Sequence, residues 1–547
     1  MSEYDNQAFD ALIDEFYPVW FRYHPEVAID LGIDGFESCL PASDDDDLGA
    51  LGIWLENLLV ALGEIGERGL DAARRLDYRL LLEAAQVEYF ELLARDWRHL
   101  DPTRFLPIQE IFLLTLHPPR ELRASLLRVL QAVPGYLRQA RTQIADFPES
   151  LAPEMVRVAI QDGDAGVAYL QTLSSGFWLR HHCSGSGSSE VQAACDDAIA
   201  AIQTYADTLR QEIAPRARGR LGCGEEHLQR LMGHRHAIDL PLERVRTYLE
   251  ALYLDTFRAL EVPAQTLGIP GEPAFALAWI AQQEAFSGER RLQVYREEAN
   301  RLRDFVRQTG LLTFPEVPFR IVERPACPRP GHCESGYLQE PGRRGGLFFI
   351  AGRVGEETHF GEPRAVIRCE CMGQAWTGAH LLAFAGGAHA RDLPRRVAPA
   401  AAFAGAWGLY VRRLLMDLGF GDVADRLVQL VHRLRALRLA ILDIDLNLHR
   451  VTGSEALAQI GELEPDADRA LYRLVNLARA PGDALASAVG WALLHQTRDL
   501  LQADDAGFLL ADFHDTLMSQ GAVPPALLIP HLYGETLWAR VKDELTP

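Results

Sequence analysis

Residues 319–352 read FRIVERPACPRPGHCESGYLQEPGRRGGLFFIAG, and this stretch sets the fold class. FRIVER (319–324), GYLQE (336–340) and GLFFIAG (346–352) are short aromatic and β-branched runs. The turn-forming PRPGH and PGRRGG separate them, which predicts a small antiparallel sheet. On both sides the pattern turns helical. Upstream, Phe9, Leu12, Ile13, Phe16 and Trp20 fall on one helical face, as do Leu51, Leu55, Leu58 and Leu62. The run Ser43–Asp47 reads as an N-cap followed by acidic first-turn residues, which the helix dipole favours. Downstream, Leu427, Leu430, Val431, Leu434 and Leu437 share a face. No repeat of 20–50 residues is present, which argues against a solenoid. The chain therefore reads as mainly α: a helical region 1–310, a sheet segment 311–362 and a helical region 363–547, with the sheet beside any site.

Composition narrows the function classes. The 547 residues carry a formal net charge of −22 and are 48% hydrophobic. That charge argues against nucleic-acid or anionic-membrane partners, which select positive surfaces, and leaves peptides and small molecules open. The polar, acidic start MSEYDNQAFD is not a signal peptide. The longest candidate apolar run, Val397 to Val411, falls short of the roughly 18–20 residues that a membrane span requires. Eight cysteines in a chain of this length make no disulfide framework, so a cytoplasmic location is expected. The oligomeric state stays open.

Seven segments occur in the order of a known family: FYPVWFRYHPEVAIDLGIDGF (16–36), LQAVPGYLRQARTQIADFPE (130–149), GYLQEPGRRGGLFFIAGR (336–353), AWGLYVRRLLMDLG (406–419), LRLAILDIDLNLH (437–449), APGDALASAVG (480–490) and FHDTLMSQGAVPPALL (513–528). With these the chain resembles a large bacterial group of zinc carboxypeptidase-like proteins, long catalogued as a domain of unknown function and akin to the helical zincin peptidases. The resemblance implies a two-lobed helical zincin-like fold, with the small sheet beside a deep cleft. It also implies a His-Glu-x-x-Pro-Gly-His-His helix in which imidazoles hold zinc and the Glu deprotonates its bound water.

Here that motif falls on Gly373-Gln374-Ala375-Trp376-Thr377-Gly378-Ala379-His380. The leading His is Gly373, the base is Gln374, the first closing His is Ala379, and His380 alone remains. The further Glu ligand is Gly405. Glycine offers no side-chain donor, and an amide accepts no proton at neutral pH. The family's substrate-handling Tyr and Lys fall among Asp483, Ser487 and Ala488, while its Asp-x-x-x-His is kept as Asp445 and His449. The resemblance thus predicts a protein without the zinc cofactor and without peptidase activity. It would bind a peptide, a peptide-like metabolite or a partner in the old cleft, with Trp376, His380, Trp407, Tyr410, Asp445, His449, Asp483 and Ser487 as candidate lining.

Other chemistry stays open. Cys327, His332, Cys333, Cys369 and Cys371 could hold a structural metal, although their spacings lack the Cys-x2-Cys knuckle. A relocated catalytic metal could use His359, His380 and His389 with Glu356, Glu357 or Glu362. Cys369, Cys371 or the His181-His182-Cys183 edge could supply a thiol nucleophile if a neighbour lowered its pKa, giving an active hydrolase on the same scaffold.

Overall fold

A computed structural model describes residues 3–116, 118–175, 188–324, 334–340, 345–352, 361–385, 392–398 and 400–545. It is mainly helical with a small sheet, and the chain divides into two compact units at residue 220.

The first unit, Met1–Arg220, is built of helices. Helix α1 (Glu3–Tyr23) is followed by α2 (Asp45–Ile65). Asp44 caps α2 by accepting the Asp47 backbone N–H (2.7 Å), and Asp45, Asp46 and Asp47 fill its first turn. Leu51, Leu55, Leu58 and Leu62 are its buried face, as their spacing predicts. By length and composition alone α2 could cross a membrane, with a mean hydropathy of 1.5 over its best window. The sequence reading missed this because it looked for an unbroken apolar run. The unit's main core lies among α3 (Leu122–Asp146), α4 (Pro153–Ser175) and α5 (Ser188–Thr208), where Leu130, Val133, Val156, Ile202 and Tyr205 are buried. His24 follows α1 and is 3.0 Å from Glu88.

The second unit holds Leu221–Arg324 and Glu334 onward. Helix α6 (Gly288–Thr309) leads to a three-stranded sheet of β1 (Phe319–Glu323), β2 (Gly336–Gln339) and β3 (Gly346–Ile350) in the order β1-β3-β2. The sheet is mixed. Strands β2 and β3 pair antiparallel as expected, but β1 pairs parallel to β3, with Ile321 opposite Phe348. Because β2 pairs along one edge of β3, β1 takes the other edge, in the direction that local patterning cannot specify. Then come α7 (Arg364–Gln374), α8 (Ala379–Phe384), α9 (Ala400–Asp417), α10 (Val423–Asn447), α11 (Ala467–Arg479) and α12 (Asp483–Asp504). A reciprocal capping box of Asp422 and Asp425 starts α10, and the predicted leucine face from Leu427 to Leu437 is buried. Helix α9 packs closely on α12: a Cβ on Gly490 would lie 2.9 Å from that of Ala406.

Candidate functional site

The motif positions do not share one helix. Helix α7 ends at Gln374, Ala375 leaves helical geometry (ψ −140°), and α8 begins at Ala379. The intervening turn closes through the Gly378 N–H donating to the Ala375 carbonyl (3.0 Å). Gly378 passes so close to the Gly373 carbonyl that any side chain there would overlap it.

Neighbours occupy the space beside both glycines at the positions that the resemblance assigns to ligands. A Cβ on Gly373 would overlap the guanidinium of Arg412, with Nη1 at 2.8 Å and Nη2 nearer still. Arg412 is seven residues beyond Gly405 on α9, two helical turns along the same face. Its Nε donates to the Cys369 carbonyl and its Nη1 to the Gly408 carbonyl, both at 3.1 Å. A Cβ on Gly405 would lie 2.6 Å from the Ser487 Cβ and closer to its Oγ. The sequence thus located two residues, Gly405 and Ser487, that do meet. It missed Arg412, whose only signal was the Arg412-Arg413 pair inside the apolar run of α9.

His380 is fully buried. Its Nδ1 and the Tyr337 hydroxyl share a hydrogen bond of 2.8 Å, and Phe319, Trp376 and Phe384 surround the ring with centroids at 4.7–5.2 Å. Its Nε2 makes no hydrogen bond among the described residues. Burial lowers its pKa to about 4, against a small opposing effect of the Val317 backbone, so the ring is neutral at pH 7. Trp376 itself is 9% exposed and packs on Phe314 and Phe319.

Trp407 and Tyr410 lie in the core. The indole N–H of Trp407 donates to the Thr377 carbonyl (2.7 Å), and the Tyr410 hydroxyl pairs with His514 Nε2 (2.8 Å). Asp445 and His449 do not pair with each other. Helix α10 ends at Asn447, His449 has a left-handed backbone (φ 56°), and Asp445 instead accepts two hydrogen bonds from Arg246 (2.7 and 2.9 Å). Asp483 opens α12, 3.2 Å from the buried His236, whose pKa is lowered by burial against the opposing pull of Asp483. Fully buried Asp443 caps the same helix by accepting the Gly482 and Leu485 backbone N–H groups (3.1 and 3.0 Å).

The thiols of Cys369 and Cys371 are buried. Burial pushes Cys369 up to about 11, with Arg412 opposing, and pushes Cys371 up as well, the reverse of what a nucleophile needs. Glu362 is also buried: desolvation raises its carboxyl to about 7 although the Tyr295 hydroxyl donates to it (2.8 Å). Cys327, His332, Cys333, His181, His182, Cys183, Glu356, Glu357, His359 and His389 lie outside the described residues. Among the described ones no three His, Cys, Asp or Glu side chains converge as metal ligands do.

The residues around Gly373 and Gly405 do not fit the zinc that the resemblance implies. Side-chain donors are missing at 373, 379 and 405, and the nearest charged group, Arg412, is a permanent cation that repels another.

A model of a bacterial family described as "Bacterial protein of unknown function (DUF885)" matches residues 25–531. The chain belongs to this family. No curated protein matches it. Among solved structures, the DUF885 chain is similar to "the putative lipoprotein from Colwellia psychrerythraea" (TM-score 0.78, 15% identity, 99% of each chain covered). It is also similar to "a putative lipoprotein of unknown function from Shewanella oneidensis" (TM-score 0.73, 15% identity, 96% of this chain and 98% of that one). At such identity the likeness concerns fold alone. Both neighbours are named as lipoproteins, which runs against the cytoplasmic expectation drawn from cysteine usage and a polar start.

Proposed function

We propose that this DUF885 protein is a catalytically degenerate metallopeptidase-like protein on a two-lobed, zincin-like helical frame, and that it binds a peptide, a peptide-like metabolite or a partner segment in the old cleft. One observation carries the reading: a buried arginine head lies where the side chain of residue 373 would project. A hydrolytic metal requires convergent donors and an open coordination position. Gly373, Gln374, Ala379 and Gly405 supply neither imidazole nor carboxylate. The half-buried state of Gly373, Gln374, Gly405, Asp483 and Ser487 supports a surface that a ligand can reach.

The test uses the full-length chain, N-acetylated tripeptides and mass spectrometry, with and without added zinc, alongside thermal melts. The expected result is no cleavage under either condition and a rise in melting temperature with peptide. Zinc-dependent cleavage would overturn the reading.

A further inference from the structure

We propose that the outer face of α3 (Leu122–Asp146) is a docking surface for an anionic lipid bilayer. The inference goes beyond the binding reading above and concerns the first unit alone.

Helix α3 buries one face, with Leu126, Val129, Leu130, Val133 and Leu137 in the core. What it turns outward is basic. Residues 120–146 hold Arg120, Arg123, Arg128, Arg138 and Arg141 against Glu121 and Asp146, in a chain with 76 acidic side chains and 54 basic ones. Acids are therefore plentiful, and other arginines of the same unit use them. Arg74 is held by Asp10 and Asp71, Arg98 by Asp45 and Asp96, and Arg210 by Asp164 and Asp207. On α3 the pairing fails. Arg120, Arg138 and Arg141 make no ion pair among the described residues, Arg128 reaches only the Ser38 hydroxyl (3.4 Å), and Arg123 lies 3.9 Å from Glu190. Arg120, Arg128 and Arg138 are exposed, and Arg123 and Arg141 are half-buried at the border of the face.

The layout of these charges identifies the partner. At 1.5 Å per residue, Arg123 and Arg141 stand about 27 Å apart along the helix. A single soluble anion reaches one end of that array, whereas a plane of lipid phosphates meets all of it. The exposed side chains between the ends, Gln131, Ala132 and Gly135, are short and uncharged, so nothing holds a flat surface away. Peptide recognition uses a groove or a free strand edge, and an outward helix face is neither. The start of the helix adds a second feature. Glu121 gives it no side-chain cap, and an open hollow of about 470 Å³ lies there between Arg120, Arg123 and Leu127. Uncapped N–H groups and the positive end of the helix dipole favour the phosphate of one headgroup in that hollow. At the far end Gln143 donates to the Ser43 carbonyl (2.7 Å), which brings the acidic Asp44–Asp47 turn close, so the N-terminal half leads the contact. The rest of the chain's negative charge acts weakly beyond a screening length of about 8 Å, and the local face governs.

Sedimentation of the full-length chain with vesicles of phosphatidylglycerol and phosphatidylcholine in equal parts, and with phosphatidylcholine alone, tests this. At low salt the chain is expected to pellet with the mixed vesicles, to stay in solution with phosphatidylcholine, and to be released by high salt. Arg128→Gln with Arg138→Gln should weaken partitioning by about fivefold for each arginine removed, the worth of one basic side chain at such a surface. Thermal melts should not change, because both side chains are exposed. Arg258→Gln with Arg320→Gln, exposed arginines of the second unit, matches the change in net charge and should leave partitioning as it was. No pelleting with the mixed vesicles, equal pelleting with both kinds, or a first variant that binds no more weakly than the second would overturn the surface. Release by inorganic phosphate at constant ionic strength would overturn it too and assign the hollow to a free anion.

Discussion

Arg368 and Arg412 each bury a guanidinium at helix α7, in opposite company. Arg368 donates its Nε to Glu298 (2.7 Å) and its Nη1 to Asp425; these carboxylates are 2% and 0% exposed. Arg412, 7% exposed, has two main-chain carbonyls. Two histidines repeat the contrast. For His24, burial would lower the pKa, but Glu88 at 3.0 Å outweighs it and lifts the ring to about 9. His380 has a phenol and aromatic rings for neighbours, and burial takes it to about 4. A basic group without an acid can shed its proton if it is an imidazole and must keep it if it is a guanidinium. Arg412 is therefore a charge whose acceptors among the described residues are both uncharged. Arg368 is a brace.

The largest effect should come from the brace. Arg368→Met strands Glu298 and Asp425 in the interior, and breaking a buried pair from one side costs about 3–5 kcal/mol. Glu298 keeps Arg364 and Arg301, so the lower end of that range is expected. Urea midpoints of the variant and the parent chain check it. A loss below about 1 kcal/mol would mean that the pairing is decorative.

The histidines give a pH test of the same contrast. The folded pKa of His380 is depressed, so its neutral form costs nothing above pH 6.5. Stability is then lost as pH falls from about 6.5 toward about 4, by up to about 3 kcal/mol. His24 runs the other way. Its raised pKa contributes stability that is complete below pH 6.5 and lost as pH rises through about 9. In denaturant series at pH 7.5, 5.5 and 4.5, His380→Phe should flatten the acid limb, leaving the parts due to His514 and His495, which burial also lowers to about 4, and to His236 and His432, which it lowers too. An unchanged acid slope in His380→Phe would show that the imidazole is charged in the fold.

Local pattern made the helices legible: the four leucines of α2, the leucine face of α10 and the acidic first turn behind Asp44 follow from spacing and capping chemistry alone. The site was legible in one contact: Ser487, read as candidate lining, abuts Gly405. Partner choice was not legible, because it is settled across the fold. Asp445 and His449 stand four apart in sequence, yet the helix ends between them and Asp445 takes Arg246, 199 residues away. The direction of β1 depended on which edge of β3 was free. The role of Arg412 required knowing which carboxylates do not reach it.

A third effect probes the packing around Gly405. Gly405→Ala should cost about 1–3 kcal/mol, as overpacking does, because its Cβ meets Ser487 on the facing helix. Ser487→Gly should restore most of that loss in the double variant, a coupling that urea midpoints of the four-member cycle measure. Independent effects of the two changes would mean that α9 and α12 do not pack as closely as Gly405 and Gly490 indicate.

The smallest expected effect falls on Arg412. Arg412→Met removes a buried cation on which no carboxylate among the described residues depends, so none of those is left stranded. What is lost is the hydrogen bond to the Cys369 carbonyl and that to the Gly408 carbonyl. Against this stands the relief of desolvating the guanidinium, and replacing a buried charge by an apolar chain of similar length is often close to neutral. The net change should stay within about 1 kcal/mol in urea melts, well below that of Arg368→Met. A loss matching that of the Arg368 variant would make Arg412 a second brace.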